Sequence, residues 1–148
     1  MDAARFNILL VDDDPAQIDL ARNAATEFSA DIELTAVAGG DALLHWLSTR
    51  ASDKDLMPHI IMMDLKLPKL EGLAVLRKLR GLPATRDIPI LVCSSEYTQG
   101  DVLMSYKAGA NSFVVKPADA AQCAELFRER LSYWMRPDRH KLASVLER

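Results

Sequence analysis

Residues Ile60–Pro68 read IIMMDLKLP: four apolar residues, one acid, and a turn closing on Pro68. Four consecutive apolar positions between polar segments predict a short strand buried on both faces, as parallel strands covered by helices on each side are. Asp64 then stands where that strand runs out. In open parallel α/β sheets, ligands bind in the crevice beyond the carboxyl ends of the strands, so an acid here is a candidate functional group on position alone.

Toward the N-terminus, Phe6–Val11 (FNILLV) is another apolar run, ending at Asp12, Asp13 and Asp14 with Pro15 behind them. Asp14 as N-cap and Pro15 at the first helical position predict a helix to about Phe28. Ile32–Val37 predicts a less apolar strand nearer an edge, and Gly39-Gly40-Asp41 opens a helix with Leu43, Leu44 and Leu47 inward. Beyond the central strand, a helix entered at Glu71-Gly72 carries Leu73, Leu76, Leu79 and Arg80 and stops near Gly81, ahead of Pro83. Ile88–Cys93 predicts a fourth strand ending at Ser94-Ser95, with Pro89 tolerated at its start. Thr98 and Asp101 have the spacing of a capping box for a helix that ends at Gly109. Ser112–Val115 predicts a fifth strand, ended by Lys116-Pro117. A last helix, about Asp119 to Met135, carries the stripe Cys123, Phe127, Leu131 and Trp134.

Strand and helix thus alternate in a (βα)5 pattern, and right-handed crossovers make it a three-layer α/β sandwich around a parallel sheet. Five strands suit the order 2-1-3-4-5. That order makes strands 1, 3, 4 and 5 neighbours, so their C-terminal ends bring Asp12, Asp13, Asp64, Ser94 and Lys116 together.

The chain has 148 residues, 49% hydrophobic and 26% charged, with a net charge of -3. This is one ordinary globular domain with no electrostatic reason to bind nucleic acid or an anionic membrane. No apolar run approaches the roughly 18 to 20 residues that span a bilayer, and MDAARFN lacks the build of a signal peptide, so a cytoplasmic protein is expected. Residues 5–135 are expected to form the domain and residues 136–148 a C-terminal extension, with no output domain. Cys93 and Cys123 lack metal-ligand spacing and are expected to be reduced and buried. His45, His59 and His140 have no catalytic partner pattern.

Two carboxylates about 4 Å apart repel by about 4 kcal/mol at an effective dielectric of about 20, so a hard divalent ion or a shifted pKa is expected where Asp12, Asp13 and Asp64 converge. Oxygen-only ligands suit Mg²⁺, and no His or Cys stands near the acids in sequence to suggest zinc. Lys116 as a point charge and Ser94 as a hydroxyl donor fit a phosphoryl group carried on Asp64, an accepted covalent nucleophile.

LLVDDDP, IIMMDLKLPKLEG, IPILVCSSE and AGANSFVVKP, in that order and spacing, resemble the receiver domain of two-component response regulators. The resemblance implies a flavodoxin-like fold, phosphorylation of Asp64 by a sensor histidine kinase, and direct Mg²⁺ ligation by Asp13, Asp64 and the Lys66 backbone carbonyl. Asp12 would act through water. It further implies Ser94 as switch hydroxyl, Lys116 as charge partner of the phosphoryl group, and a cis bond before Pro117. Phe113 takes the place of the switch aromatic and, lacking a hydroxyl, signals by rotameric packing. Lys66 and Glu96, two residues after the acceptor and the switch hydroxyl, are expected to form an ion pair that screens the phosphoryl group and sets its lifetime. The closing SYW, together with ANSFVVKP, is similar to single-domain regulators partnered with bacterial phytochromes. A homodimer through the face of helix 4, strand 5 and helix 5 is the expected assembly, with Tyr133 and Trp134 either in the core or on that surface.

Two other readings compete. Asp12-x-Asp14 after a first strand also resembles haloacid-dehalogenase-type phosphatases, but a cap insertion and a second metal-binding acid pair are missing and Asp64 would be idle. A phosphate-independent binding module is the alternative that keeps the fold. Turnover of a phosphate ester marks the phosphatase, and stoichiometric labelling marks the receiver.

Overall fold

In a computed structural model, which describes residues 5–67 and 72–135, Ile60–Asp64 is a strand whose residues are all buried. In chain order the elements are β1 (Phe6–Val11), α1 (Pro15–Phe28), β2 (Ile32–Val37), α2 (Gly40–Ser48), a 3₁₀ turn (Lys54–Leu56), β3 (Ile60–Asp64), α3 (Gly72–Gly81), β4 (Ile90–Ser94), α4 (Gln99–Ala108), β5 (Ser112–Val115) and α5 (Ala120–Leu126). A π-helical turn (Phe127–Leu131) and a last short helix, α6 (Ser132–Trp134), continue α5. The strands form one parallel sheet in the order β2-β1-β3-β4-β5, the flavodoxin-like arrangement the sequence predicts.

Side chains alternate across the sheet with period two, which divides the core into two layers. Leu9, Val11, Ile61, Met63, Ile90 and Val92 pack under Leu43 and Leu47 of α2 and Val75, Leu76 and Leu79 of α3. Ile8, Leu10, Ile60, Met62, Leu91 and Cys93 face the other way, against Ala21, Ala24 and Ala25 of α1 and Cys123, Phe127 and Leu131. Each of the large aliphatic side chains contributes roughly 1.5 to 3 kcal/mol by leaving water. The register sets Ile8–Val11 beside Ile60–Met63, so Asp12 and Asp64 emerge at adjacent strand ends.

Local signals are met where the sequence placed them. Asp14 Oδ1 accepts the Ala16 N–H at 3.0 Å, and both arms of the Thr98–Asp101 capping box form, at 2.9 and 3.1 Å. Gly109 closes α4 at φ 114°, a left-handed value that favours glycine. Cys93 and Cys123 are buried thiols.

Some boundaries differ. The fourth strand starts at Ile90 and includes Ser94, because Pro89 has no N–H to give the ladder and the Arg80 guanidinium takes the Ile88 carbonyl at 2.8 Å. From Phe127 the last helix widens: the Ser132 N–H donates to the Phe127 carbonyl, and Ser132 Oγ donates to the Arg128 carbonyl. Trp134 packs partly buried on the α1 side of the core, while Tyr133 is exposed beside it with the two rings edge-on at 5.0 Å. The Lys116–Pro117 bond is trans, since no described peptide bond is cis. Trans is the default for X–Pro, and in this form the Pro117 carbonyl accepts from Gln17 Nε2 of α1 at 3.0 Å. Pro68, Glu71, His140 and the extension after Met135 lie outside the described residues.

β5 is an edge of the sheet. Just past it the Lys116 N–H donates to the Ser94 carbonyl at 3.0 Å, so alternation turns the Phe113 N–H away from β4, where Tyr106 Oη of α4 accepts it at 3.1 Å.

Gly72 begins α3 against the end of β3, its N–H donating to the Leu65 carbonyl at 3.0 Å. A Cβ there would stand 2.5 Å from the Leu65 oxygen and 2.9 Å from the Asp64 oxygen. Gly72→Ala is therefore expected to destabilise the protein by about 1 to 3 kcal/mol through overpacking, read from the urea midpoint.

Candidate functional site

The end of β1 supplies Asp12 and Asp13 and the end of β3 supplies Asp64. One ligand oxygen from each lies within 4.8 Å of the others. Asp12 and Asp64 are buried and Asp13 is exposed. Each buried carboxylate is oriented by its own turn: Asp12 Oδ1 accepts the Asp14 N–H at 2.9 Å, and Asp64 Oδ1 accepts the Lys66 N–H at 3.0 Å. Their other oxygens share one ammonium, with Lys116 Nζ 2.8 Å from Asp12 Oδ2 and 2.9 Å from Asp64 Oδ2. Lys116 follows β5, and Gln17 holds the Pro117 carbonyl behind it.

Burial alone would favour the neutral amine of Lys116, but hydrogen bonds to Asp12 and Asp64 and the charge of both outweigh it, so its pKa is raised. Three carboxylates against one ammonium leave a formal charge of -2. A hard divalent cation matches that charge and the all-oxygen donor set.

Ser94 is fully buried at the end of β4, and its hydroxyl donates to the Glu96 carbonyl at 2.8 Å, toward the loop before α4. Phe113 is half-buried, edge-on to the Tyr97 ring at 5.2 Å. Lys66 reaches Asp101 Oδ2, at 4.0 Å, and not Glu96. The capping box fixes Asp101 at the first turn of α4 with Oδ2 on the Thr98 N–H, and this presents a carboxylate to Lys66 that the exposed loop residue Glu96 does not. Asp14 is turned away from the cluster to cap α1, which leaves a D-x-D phosphatase pair without its second acid.

Sequence reading passed over Gln17 and the close approach of Gly72, because each acts through a contact made only in the folded sheet. Behind Lys116 a cavity of about 20 Å³ is lined by Asp12, Gln17, Cys93 and Cys123 among others. Burial, reinforced by the Asp64 charge, pushes the Cys93 thiol up to about 12.

Residues 8–128 match the response regulator receiver domain, and the chain belongs to that family. It is similar to response regulator Rcp1 of Synechocystis sp., with 27% identity over 129 residues covering 86% of this chain and 88% of Rcp1. The Mn²⁺-bound form of Rcp1 superposes with a TM-score of 0.75 at 27% identity, covering 88% of this chain and 95% of that one. The phosphorylated cyanobacterial phytochrome response regulator RcpA gives 0.80 at 27% identity, covering 89% and 95%. Response regulator RPA3017, in red light signaling of R. palustris, gives 0.77 at 26% identity, covering 87% and 93%. Among the described residues no helix is long and apolar enough to cross a membrane.

Removing the shared ammonium has a defined effect. Lys116→Met is expected to cost about 3 kcal/mol by leaving two buried carboxylates unpaired, and millimolar Mg²⁺ should restore part of the loss in urea titrations. Because the folded-state pKa is raised, the bridge contributes fully below the ordinary lysine pKa and fades only as pH climbs through the folded value. The difference between wild type and variant should hence stay flat between about pH 7 and 9.

The thiols give a second check. Neither Cys93 nor Cys123 should react with a thiol reagent near pH 8 in the folded protein, and both should react in urea.

Proposed function

We propose that this chain is a phosphoryl-accepting response regulator: a sensor histidine kinase donates a phosphoryl group to Asp64, and the output is an altered protein contact. The observation that carries this reading is the arrangement of Asp12, Asp13 and Asp64 around one oxygen-lined position, with Lys116 Nζ already on Asp64 Oδ2. An Asp64 oxygen attacks phosphorus, the bond from phosphorus to the donor breaks, and an acyl phosphate results. Asp13, Asp64 and the Lys66 carbonyl would hold Mg²⁺, with Asp12 acting through water, and the ion would neutralise charge on the transferred group. Lys116 keeps Asp64 in position beforehand and faces the phosphoryl oxygens afterwards. Ser94 offers its hydroxyl proton to one of those oxygens, and Phe113 repacks. Lys66 and Glu96 border the route of attacking water and set the lifetime of the phosphoryl group. The chain catalyses only its own phosphorylation and dephosphorylation.

The receiver would span residues 5–135, with residues 136–148 an extension, and act in the cytoplasm. Its likeness to a phytochrome response regulator and to one in red light signaling supports a phytochrome as the kinase. Exposed Tyr97, Leu103, Met104, Tyr106 and Val115 on the α4 and β5 side support a homodimer through that face.

Intact mass after incubation with acetyl phosphate and Mg²⁺, run beside size exclusion, tests the reading. One phosphoryl increment on wild type is expected, absent in Asp64→Asn and without Mg²⁺, together with a shift in elution. Repeated hydrolysis of acetyl phosphate through Asp12 would favour a phosphatase, and no increment would favour a phosphate-independent module.

A further inference from the structure

We propose that the cleft beside Trp46, at the end of the sheet remote from Asp64, is a binding site for a nucleotide. It is separate from the functional reading above and stands or falls without it.

Helix α2 runs back along one face of β1 and β2, with Leu43 and Leu47 inward, and stops at Ser48. Its nine residues span about 14 Å, whereas the six residues of β2 span about 20 Å. The helix is therefore too short to cover the strand starts. The register pairs Asn7 with Glu33 and Leu9 with Thr35, so Asn7, Glu33 and Thr35 share the face that carries Leu9 under α2. Polar residues thus replace the apolar surface where the helix gives out. Between them, the end of α2 and the 3₁₀ turn Lys54–Leu56 lies a cleft of about 570 Å³, within the roughly 300 to 1,000 Å³ of small-ligand sites.

The lining offers polar groups that nothing else in the described residues takes. The Asn7 amide, the Thr35 hydroxyl and the Trp46 indole N–H belong to half-buried side chains, and none has a hydrogen-bond partner among the described residues. Half-buried groups of this kind normally find a partner. The Arg50 guanidinium lies over the Trp46 ring, 3.9 Å from its centre. Its Nη1 donates to the Trp46 carbonyl at 3.2 Å and to Thr49 Oγ1 at 2.9 Å, which leaves Nε and Nη2 for a ligand. Arg5 and Lys54 are exposed at the rim, and none of these three cations forms an ion pair among the described residues. Against Glu33 and Asp55 they make the cleft locally positive in a chain of net charge -3. The wall is fixed beforehand, since His59 Nδ1 accepts the Asn7 N–H at 2.9 Å and its ring stacks on Phe6. Guanidinium and ammonium groups suit phosphate oxygens, Glu33 and Asn7 suit sugar hydroxyls, and the stacked guanidinium and indole give a flat wall for a base. A metal ion is not the occupant, because Glu33 and Asp55 are not among the acids of the described residues that converge closely enough to hold one.

Heteronuclear NMR of the indole N–H groups tests the site, because the chain has two tryptophans and Trp134→Phe identifies the Trp46 signal. AMP, GMP, CMP and UMP are titrated separately into the full chain without Mg²⁺, so that no metal draws their phosphates to the acids around Asp64. The matching nucleoside, ribose phosphate and inorganic phosphate serve as controls. At least one nucleotide is expected to shift the Trp46 signal saturably and to leave that of Trp134, which packs on the other face of the sheet, in place. Arg50→Gln and Lys54→Gln should each weaken this binding about tenfold by removing a charge-assisted contact. Lys54 is exposed on its turn, so its variant reports binding and not folding. The nucleoside, ribose phosphate and inorganic phosphate should each bind more weakly than the nucleotide by about tenfold or more. Absence of a saturable Trp46 shift with all four nucleotides would overturn the proposal. Equal affinity for any of the controls, or undiminished binding in both variants, would overturn it as well.

Discussion

A single ammonium set between two buried carboxylates organises this molecule. Lys116 Nζ stands 2.8 and 2.9 Å from Asp12 and Asp64, and both acids lie at strand ends that water scarcely reaches. Without that charge the adjacent ends of β1 and β3 would hold uncompensated carboxylates, the costly form of buried charge. The strand order follows from the same requirement. β1 must lie against β3 to bring the acids together, and β5 is separated from β3 by β4, so the cation has to cross the end of β4 on a long flexible stem. Ser94 occupies that strand end, fully buried, which leaves its hydroxyl between the bridge and the loop leading to α4.

Most of the fold was legible in the sequence because its signals are local. A strand covered on both faces shows as a nearly unbroken apolar run, as in β1 and β3, and the less apolar edge strand β2 also formed over the residues so read. Asp14-Pro15, Thr98 with Asp101, and Gly109 each act within a turn of the chain, and each cap formed. The acids and Lys116 were legible from topology, since strand order determines which ends meet. What escaped depends on contacts distant in sequence. The Ile88 carbonyl is taken by a guanidinium eight residues back, Lys66 finds Asp101 across a loop, and Gln17 meets Pro117 across the sheet. The π-helical turn is another such case: Phe127 and Leu131 are both buried, and their four-residue spacing reads the same in an α-helix.

Chemistry and mechanical support occupy opposite ends of the sheet. Asp12, Asp64, Ser94 and Lys116 stand beyond the C-terminal strand ends, whereas Arg80 and Asn111 gather the connections entering β4 and β5. Helix α4 runs between these two regions, with its polar cap toward the acids and its buried residues toward Arg80. Cys93 lies between the layers beside the acids, and its high pKa follows from the same burial that keeps Asp64 out of water.

The edge of the sheet has a further consequence. An open strand edge is a template on which another chain can add a strand, the route to uncontrolled aggregation. Here the phenol oxygen of Tyr106 occupies the outward Phe113 N–H at 3.1 Å, so an incoming backbone would have to displace it. A strand aligned on this edge would find the Phe113 N–H already taken, which disfavours extending the sheet there. One hydroxyl group from a neighbouring helix thus covers a backbone donor that the end of the sheet would otherwise leave open.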